Sequence, residues 1–260
     1  MTWIRTQTPV DIVESLEIVT FQDGTDEQIM RMIEAYYSGD LSLSDIQSVW
    51  AIGDTRTIHL NAMSGLSEYE VHEANDYDFA IIDFDHDILT TPIRGLTKSL
   101  ITLSQVPSLK NPNNSGIGYM NSSRTNSGGW NGSERRAWCN SVYFMALPQI
   151  YQDNIKWVNK LATPGNNSSE IVTSVDRIFY LSYIELFNTS SSPYKNEGYQ
   201  YPYYLVSSNR LKRAEGESNV NTYFTRSSYS GTTQFYGTSG NSAGITYADT
   251  RVGISCNFCL

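Results

Sequence analysis

The chain has 260 residues, of which 40% are apolar and 12% aromatic, and its net charge is −9. This length and composition suit one large folded domain, or one domain with a small appendage, and exclude a wholly disordered chain. Because the chain is acidic and has no basic stripe, it is not expected to bind nucleic acid. Because it has no run of about 18 apolar residues, it is not expected to enter a membrane.

The charge is unevenly distributed along the chain. Residues 1–90 contain 18 Asp and Glu against three Lys and Arg, a net charge of −15, whereas residues 91–260 carry a net charge of +6. Such an asymmetry can indicate different neighbours for the two parts. The simpler alternative is that the acidic residues keep one face of the protein in water.

An amphipathic helix is predicted for residues 25–38. Thr25 can cap it, Gln28 follows three residues later as in a capping box, and Gly39 can end it. One such helix does not fold alone, so we expect it to dock on the main domain or on another chain. The polar segment 42–48 follows, and we therefore predict an N-terminal region of residues 1–48 and a main domain of residues 49–260.

From Trp50 onwards the pattern is mainly that of short strands. Alternating apolar and polar residues predict strands at residues 55–60, 77–84, 100–106, 171–174 and 178–181. Between them, two helices are predicted, at residues 133–145 and within 149–160. The first of these helices would be capped by Ser133 and would bury one face, formed by Ala137, Trp138, Val142 and Met145. The combination predicts an α+β fold with small antiparallel sheets.

Residues 118–139 contain two Trp, three Arg and one Cys among Asn, Ser and Gly. Burying Trp130 and Trp138 would contribute roughly 1.5–3 kcal/mol each, which a flexible linker would forgo. We therefore predict a long ordered loop with Trp130 as an anchor. Because its last residues begin the helix at 133–145, the loop is expected to support the fold rather than to recognise a ligand.

The same loop carries a family resemblance. Residues 121–130, together with Arg135, Arg136, Trp138 and Cys139, resemble an uncharacterised domain family that is frequent in bacteriophages, prophages and gut bacteria. Three more segments agree in the family's order, at residues 50–60, at 83–87, and at 226–227 with 253–260. The chain departs from the family at residues 223–224, where Trp is usual, and at Ser228 and Cys256, where Pro is usual.

The resemblance implies a C-type-lectin-like architecture with long ordered loops. Proteins of this kind are distantly related to formylglycine-generating enzymes and to the variable proteins of diversity-generating retroelements. Family members are commonly found on phage tails or other virion surfaces, and in the retroelement proteins the terminal region faces the ligand. For this chain the resemblance therefore implies a virion protein.

An acidic segment is the main metal candidate. In an extended chain Asp83, Asp85 and Asp87 would share one face and could together bind a hard cation such as calcium. The alternative, which we favour, is a strand that ends in a polar turn whose carboxylates accept backbone N–H groups. We accordingly predict no metal and no cofactor.

The three cysteines, Cys139, Cys256 and Cys259, do not form a zinc or thioredoxin motif. We predict buried thiols, and a Cys139–Cys259 disulfide is the alternative. The first residues lack the pattern of a signal peptide, which argues against that disulfide. Formylglycine-generating enzymes use two reactive cysteines, but we expect burial to raise the pKa of Cys259 and make it inert. The prediction is a non-enzymatic protein.

The C-terminal third is rich in tyrosine, with nine of the 18 tyrosines between residues 194 and 247. Tyr among Ser, Gly and Asn is typical of adaptable recognition surfaces. Within residues 221–248 the predicted ligand-binding residues are Tyr223, Arg226, Tyr229, Gln234, Tyr236, Asn241 and Tyr247. The alternatives for this segment are contacts within an assembly or packing inside the fold.

These predictions combine into one functional hypothesis. The protein would be a tail-associated phage virion protein, assembled in the cytoplasm of the host bacterium, that displays a C-type-lectin-like domain to a host-surface glycan or protein. Residues 1–48 would attach it to other virion proteins, and it could form a homo-oligomer. The alternative is a purely structural decoration, baseplate or tail component without an external ligand.

Overall fold

The computed structural model describes residues 16–68, 70–109, 118–214, 222–239 and 241–260. Its first helix, α1 (Asp26–Ser38), confirms the predicted helix and its signals. Thr25 accepts a hydrogen bond from the Gln28 backbone, the Gln28 side chain returns one to Thr25, and Gly39 ends the helix with φ 89°. The polar segment that follows is not a linker, because Ser42 caps a second short helix, α2 (Leu43–Gln47).

Helix α1 packs on the main domain. Its residues Ile29, Met32 and Ile33 are completely buried in the same apolar core as the strands. At its C-terminal end the Tyr37 hydroxyl donates to the Leu260 carbonyl at 3.1 Å and accepts from the Leu100 N–H at 2.9 Å. The core therefore continues across residue 48, and attachment by residues 1–48 stays a prediction. Residues 1–15 of that region lie outside the described residues.

The described strands alternate with short turns and confirm the predicted strands at residues 55–60, 77–84 and 100–106. They are β1 (Thr55–Leu60), β2 (Met63–Ser64), β3 (Val71–His72), β4 (Asn75–Phe84), β5 (Ile88–Ile93), β6 (Leu96–Lys98), β7 (Ile101–Gln105), β8 (Val158–Ala162), β9 (Val172–Asp176), β10 (Ile178–Phe179), β11 (Phe224–Ser228), β12 (Gln234–Ser239), β13 (Ser242–Tyr247) and β14 (Asn257–Cys259).

All of these strands pair antiparallel within small sheets. A five-stranded sheet has the order β1-β4-β7-β14-β10, so the last strand of the sequence lies between two strands from much earlier in the chain. A four-stranded sheet has the order β6-β5-β8-β9, and β11-β12-β13 and β2-β3 form two smaller ones. With few helices beside them, these sheets confirm the predicted α+β class.

Four further α-helices are described, α3 (Glu134–Trp138), α4 (Phe144–Ala146), α5 (Gln149–Asn154) and α6 (Tyr183–Phe187). A π-helical turn, Cys139–Tyr143, joins α3 to α4 in one continuous helix. The predicted buried face of this helix is wrong at its C-terminal end. The π turn inserts one residue, so Tyr143 and Phe144 face the core while Met145 is 64% exposed. Ala137, also predicted to be buried, is exposed.

The helix predicted within residues 149–160 is correct only for its first half. Helix α5 ends at Asn154, and Val158 begins strand β8 because it pairs with Leu89 of β5 and Asp176 of β9. These partners are distant in sequence, so a local pattern does not reveal them. The two short strands predicted after residue 170 are present as β9 and β10.

The loop of residues 118–139 is tied to the fold through two carboxylates. Arg135 donates to both oxygens of buried Glu70, at 2.6 and 2.9 Å. Burial alone would raise the pKa of Glu70, but hydrogen bonds from His72 and Arg135 lower it to about 2. Trp130 Nε1 and Arg136 Nε donate to the two oxygens of buried Asp176, at 2.9 and 2.6 Å. These contacts agree with the predicted supporting role of the loop.

Replacement of Arg135 by Met is predicted to destabilise the protein by about 3–5 kcal/mol, because Glu70 would remain buried without its cation. Urea unfolding followed by tryptophan fluorescence measures this change. The matched control is Arg124→Met, since Arg124 pairs with Asp249 at 3.1 Å but its side chain is 57% exposed. The control should change the free energy of unfolding by less than about 1 kcal/mol. Equal effects of the two substitutions would contradict the supporting role of Arg135.

Candidate functional site, a cleft with a buried ionic floor

A cleft of about 590 Å³ lies beside strands β5 and β8 and the turn at residues 196–199. Strand β8 contributes to it from both faces. Lys160 is buried on the inner face, whereas Asn159 and Leu161 lie on the outer face with Thr173, the partner of Leu161 on β9. Buried charged residues form the floor of the cleft, which consists of Asp87, Lys160, Glu185, Glu197 and Arg226.

At one end of the floor, Lys160 and Asp87 form a buried ion pair. Lys160 Nζ donates to Asp87 Oδ1 at 2.5 Å, to Glu185 Oε1 at 3.0 Å and to the Tyr201 hydroxyl at 3.1 Å. Asp87 also accepts from Tyr201, at 2.8 and 2.9 Å, and from the Thr102 hydroxyl. Burial would raise the pKa of Asp87, but the charge of Lys160 keeps it well below the usual range. Asp87 is therefore a carboxylate whose partners are all protein groups.

At the other end, Arg226 and Glu185 form a bidentate pair. Arg226 Nη1 and Nη2 donate to the two oxygens of Glu185 at 2.6 and 2.8 Å. The remaining donors of Arg226 bind the carbonyls of Leu161, Tyr180 and Glu197, each at 2.9 Å. Glu185 also caps helix α6 by accepting from the Ser182 N–H at 2.8 Å. All five donors of Arg226 are thus used inside the protein.

Glu197 has a different electrostatic environment from the other acidic residues of the floor. Its carboxylate accepts from the Thr163 N–H at 2.8 Å and from the Ser227 hydroxyl, but it pairs with no cationic side chain among the described residues. Burial raises the pKa of Glu197 to about 7, although these hydrogen bonds and the charge of Arg226 act in the opposite direction. Glu197 therefore changes protonation near neutral pH.

His86 is the buried polar residue of the cleft that lacks partners. Its ring stacks on the Tyr201 ring, with centroids 3.8 Å apart, and lies at a tilt against the Tyr199 ring, with centroids 4.0 Å apart. Its Nδ1 lies 3.7 Å from Asp87 Oδ1, beyond hydrogen-bond distance, and among the described residues neither ring nitrogen has a hydrogen-bond partner. The side chain is only 5% exposed. Buried polar atoms are normally paired, so the His86 ring nitrogens have hydrogen-bonding capacity that the described residues do not use.

The rim of the cleft is neutral and also has unused hydrogen-bonding groups. Asn159, Asn196 and Thr173 line it, and their side chains make no hydrogen bond to any part of the chain that the structure describes. Tyr199, at the same rim, is 51% exposed and presents an aromatic ring to solvent. The site thus combines two closed ion pairs in its floor with a rim of mostly neutral side chains that make no hydrogen bond to the described residues.

The seven predicted ligand-binding residues do not lie on one surface. Tyr223 is buried, with its hydroxyl donating to the Arg210 carbonyl at 2.9 Å, and Arg226 is at the floor of the cleft. The Tyr236 ring stacks on Tyr183 at 4.3 Å.

The other four are wholly or partly accessible to solvent. Tyr229 packs edge-on against Tyr236, and Gln234 is partly buried beside it on β12. Asn241 and Tyr247 are exposed on the β12–β13 hairpin, where the Arg124 guanidinium lies 4.3 Å from the Tyr247 ring centre. Ligand binding by these seven residues stays a prediction, and only Arg226 belongs to the cleft.

The proposed common face of the three aspartates is wrong. Asp85 adopts a left-handed backbone with φ 47°, which breaks the alternation. As a result Asp87 turns inward to Lys160, Asp85 is exposed near Lys98, and Asp83 is partly buried. Among the residues that the structure describes, no three His, Cys, Asp or Glu side chains are grouped so that they could bind a metal ion.

The cysteines are buried thiols, as predicted, and the alternative Cys139–Cys259 pairing is wrong. Cys139 Sγ lies 3.8 Å from Cys256 Sγ, whereas Cys259 Sγ donates to Asp87 Oδ2 at 3.3 Å. Burial raises the pKa of both Cys256 and Cys259 well above the ordinary value, which agrees with the expected inertness of Cys259.

Sequence reasoning missed most of the cleft, including Lys160, Glu185, Glu197, His86 and Tyr201. One local signal pointed to Glu185, because Ser182 and Glu185 have the spacing of a capping box. The other residues give no local signal, since their partners lie far away in sequence.

The fold and the cleft define an α+β protein with a cleft over a floor of buried charged residues. Residues 98–260 match the family model described as a domain of unknown function, DUF6273, and the chain belongs to that family. No curated protein and no solved structure matches the chain. The matched residues supply Lys160, Glu185 and Arg226, whereas His86 and Asp87 precede them. Within the described residues no helix is long and apolar enough to cross a membrane.

Replacing Glu197 by Gln is predicted to change how stability depends on pH. The folded pKa of about 7 is above the ordinary 4.5, so protonated Glu197 stabilises the fold at low pH and that stability is lost as the pH rises through 7. A Gln amide resembles the protonated acid and should not show this loss. Between about pH 5 and about pH 8, the free energy of unfolding of the wild type should therefore fall by up to about 3 kcal/mol more than that of the variant.

Chemical denaturation at both pH values measures the effect, with the exposed Glu170→Gln as the control. A difference between Glu197→Gln and wild type that does not depend on pH would contradict a raised pKa at Glu197.

Proposed function

We propose that this protein is a non-enzymatic recognition domain that binds a polar ligand in the cleft. The observation that carries the proposal is the combination of two closed ion pairs in the floor with a rim whose polar side chains make no hydrogen bond to the described residues. Paired charges fix the shape of a site, and unpaired groups supply its contacts with a ligand. The proposed ligand is a glycan or protein group on the surface of a host cell.

Binding without catalysis is supported by the state of the paired ionisable groups of the floor. Asp87, Lys160 and Arg226 are each committed to several protein partners at hydrogen-bond distance. A general acid or base must release such partners to exchange a proton with a substrate. Cys256 and Cys259 are buried thiols with raised pKa values, so they do not supply a nucleophile.

The proposed setting is the surface of a phage virion, where the protein would be associated with the tail and display a C-type-lectin-like domain. This part of the proposal is supported by the resemblance of residues 121–141 and 226–227 to phage-associated proteins. The small antiparallel sheets and the long ordered loop at residues 118–133 are compatible with such an architecture. Residues 1–48 would then contact other virion proteins.

A second candidate function is a structural virion component that binds only its neighbours. Leu205 and Val206 favour it, since these adjacent apolar residues are 69% and 57% exposed. Exposed apolar side chains that lie together are typical of protein contacts. In a virion reconstruction, this alternative requires Leu205 and Val206 to be buried against another chain and the cleft to be closed.

Filling the cleft is predicted to abolish recognition. Thr173→Trp places a large ring at the rim from an exposed position of β9, and it should weaken binding at least about 10-fold by excluding the ligand. The labelled protein is applied to an array of bacterial surface polysaccharides and to intact bacteria. The matched control is Thr91→Trp, an exposed position on β5 that does not line the cleft.

Retention of binding by Thr173→Trp would show that recognition occurs elsewhere. Absence of binding by the wild type to both targets would contradict a recognition function and favour the structural alternative.

A further inference from the structure

We propose that the cleft takes a neutral, hydroxyl-rich ligand, a sugar residue without ionic groups, and that His86, Asn159 and Asn196 hydrogen-bond its hydroxyls. This inference rests on the proposed function and assigns the chemical class of the ligand. The inference follows from two features of the cleft. Some of its polar side chains are free to hydrogen-bond, and most of its charged side chains are already paired with each other.

The two ion pairs of the floor offer no free charge to a ligand, and Glu197, which has no cationic partner, accepts from the Thr163 N–H and the Ser227 hydroxyl instead. Two anions, Asp87 and Glu185, oppose two cations, Lys160 and Arg226, in contacts of 2.5–3.0 Å. A charged ligand would have to displace one of these partners and leave a buried ion unpaired, which is strongly unfavourable. These ion pairs therefore disfavour an ionic group beside Asp87, Lys160, Glu185 and Arg226, and a cationic probe tests whether Glu197 accepts one.

The one other cation beside the cleft, among the described residues that line it, is Lys98. Its Nζ donates to the Asp85 carbonyl at 3.0 Å and lies 3.7 Å from the Asp85 carboxylate. Lys98 is therefore held by a turn at the edge of the cleft. It gives an anionic ligand only a partly neutralised, solvent-exposed partner.

The unused groups match hydroxyls best. The amides of Asn159 and Asn196 each offer donors and an acceptor, and neutral imidazole offers one donor and one acceptor. A hydroxyl both donates and accepts, so adjacent hydroxyls can pair with all of these groups. A carboxylate only accepts and an ammonium group only donates, so each would leave some of them unpaired.

The aromatic ring and the size of the cleft fit the same ligand class. The Tyr199 ring, 51% exposed at the rim, presents an apolar face against which the C–H face of a sugar ring can pack. The volume of about 590 Å³ lies in the range that small ligands occupy and admits one or a few sugar residues. A neutral sugar has both the apolar face and the hydroxyls that this rim requires.

His86→Phe tests the assignment without breaking a hydrogen bond between described residues. Phe keeps a ring between Tyr199 and Tyr201 and loses the 3.7 Å contact of Nδ1 with Asp87, which keeps Lys160, Tyr201 and Thr102 as partners, so the melting temperature should change little. Its affinity for the ligand should fall at least about 10-fold, as expected for lost hydrogen bonds. Asn159→Leu should act in the same direction.

The probes are neutral sugars, namely glucose, galactose, mannose and N-acetylglucosamine, and their charged relatives glucuronic acid and glucosamine. Saturation-transfer NMR and calorimetry on the full chain measure binding. A neutral probe should bind with an affinity that changes less than about twofold between about 50 mM and about 500 mM salt. Lys98→Met, the matched control, should leave that affinity unchanged.

Three results would overturn the assignment. Binding restricted to the charged probes, salt-dependent or lost in Lys98→Met, would reject a neutral ligand and leave recognition by the cleft intact. Binding of neutral probes that persists in His86→Phe and Asn159→Leu but not in Thr173→Trp would reject the named contacts. If every probe fails to bind while Thr173→Trp still abolishes array binding, the ligand is not a neutral sugar. If Thr173→Trp leaves array binding unchanged, both the proposed function of the cleft and its proposed ligand are rejected.

Discussion

The arrangement of the cleft depends on the buried pair between Arg226 and Glu185. The guanidinium uses all its donors to join strand β11 to helix α6, to the carbonyl of Leu161 on β8, and to the backbone at Tyr180 and Glu197. Segments that do not otherwise form one sheet are thereby fixed around a single planar group. The planar guanidinium group donates its hydrogen bonds in fixed directions, which the ammonium group of a lysine does not.

Burying these ions is costly. The effective penalty is several kcal/mol for each ion, and apolar replacements of buried ion pairs often leave stability unchanged or increase it. Stability alone is therefore a weak reason for two adjacent ion pairs in one floor. The shape of the cleft is a better reason for the two ion pairs. Lys160 and Glu185 link Asp87 to Arg226 in a continuous series of contacts that holds the cleft open.

The parts of the fold that could be predicted from the sequence are those with local signals. Helix α1 carries its cap at Thr25 and its stop at Gly39, and β1 alternates in the ordinary way. The local pattern predicts a helix where strand β8 begins, because the residues that pair with β8 and make it a strand lie far away in the sequence. The π turn likewise shifts the buried face of the helix at Tyr143, and nothing in the local spacing indicates it.

The cleft itself was largely hidden for the same reason. Lys160 is 73 residues from Asp87 and 25 from Glu185, so each looks like an ordinary surface charge in the sequence. The sequence presents Asp87 only as part of an acidic segment, and its cationic partner in the structure is the ammonium group of Lys160. The tyrosine-rich segment was a better guide to packing than to the cleft, since Tyr223 is in the interior and Tyr236 stacks on Tyr183.

The position of β14 has a kinetic consequence. This strand lies between β7 and β10, yet it follows both of them in the sequence. During synthesis, β1, β4 and β7 can pair early, but β10 has no sheet neighbour until residues 257–259 arrive. Closing the sheet is thus a late, long-range event, and folding dominated by such contacts is slow. Until then the edge of β7 is open to other chains, so the nascent protein passes through a stage that is prone to aggregation.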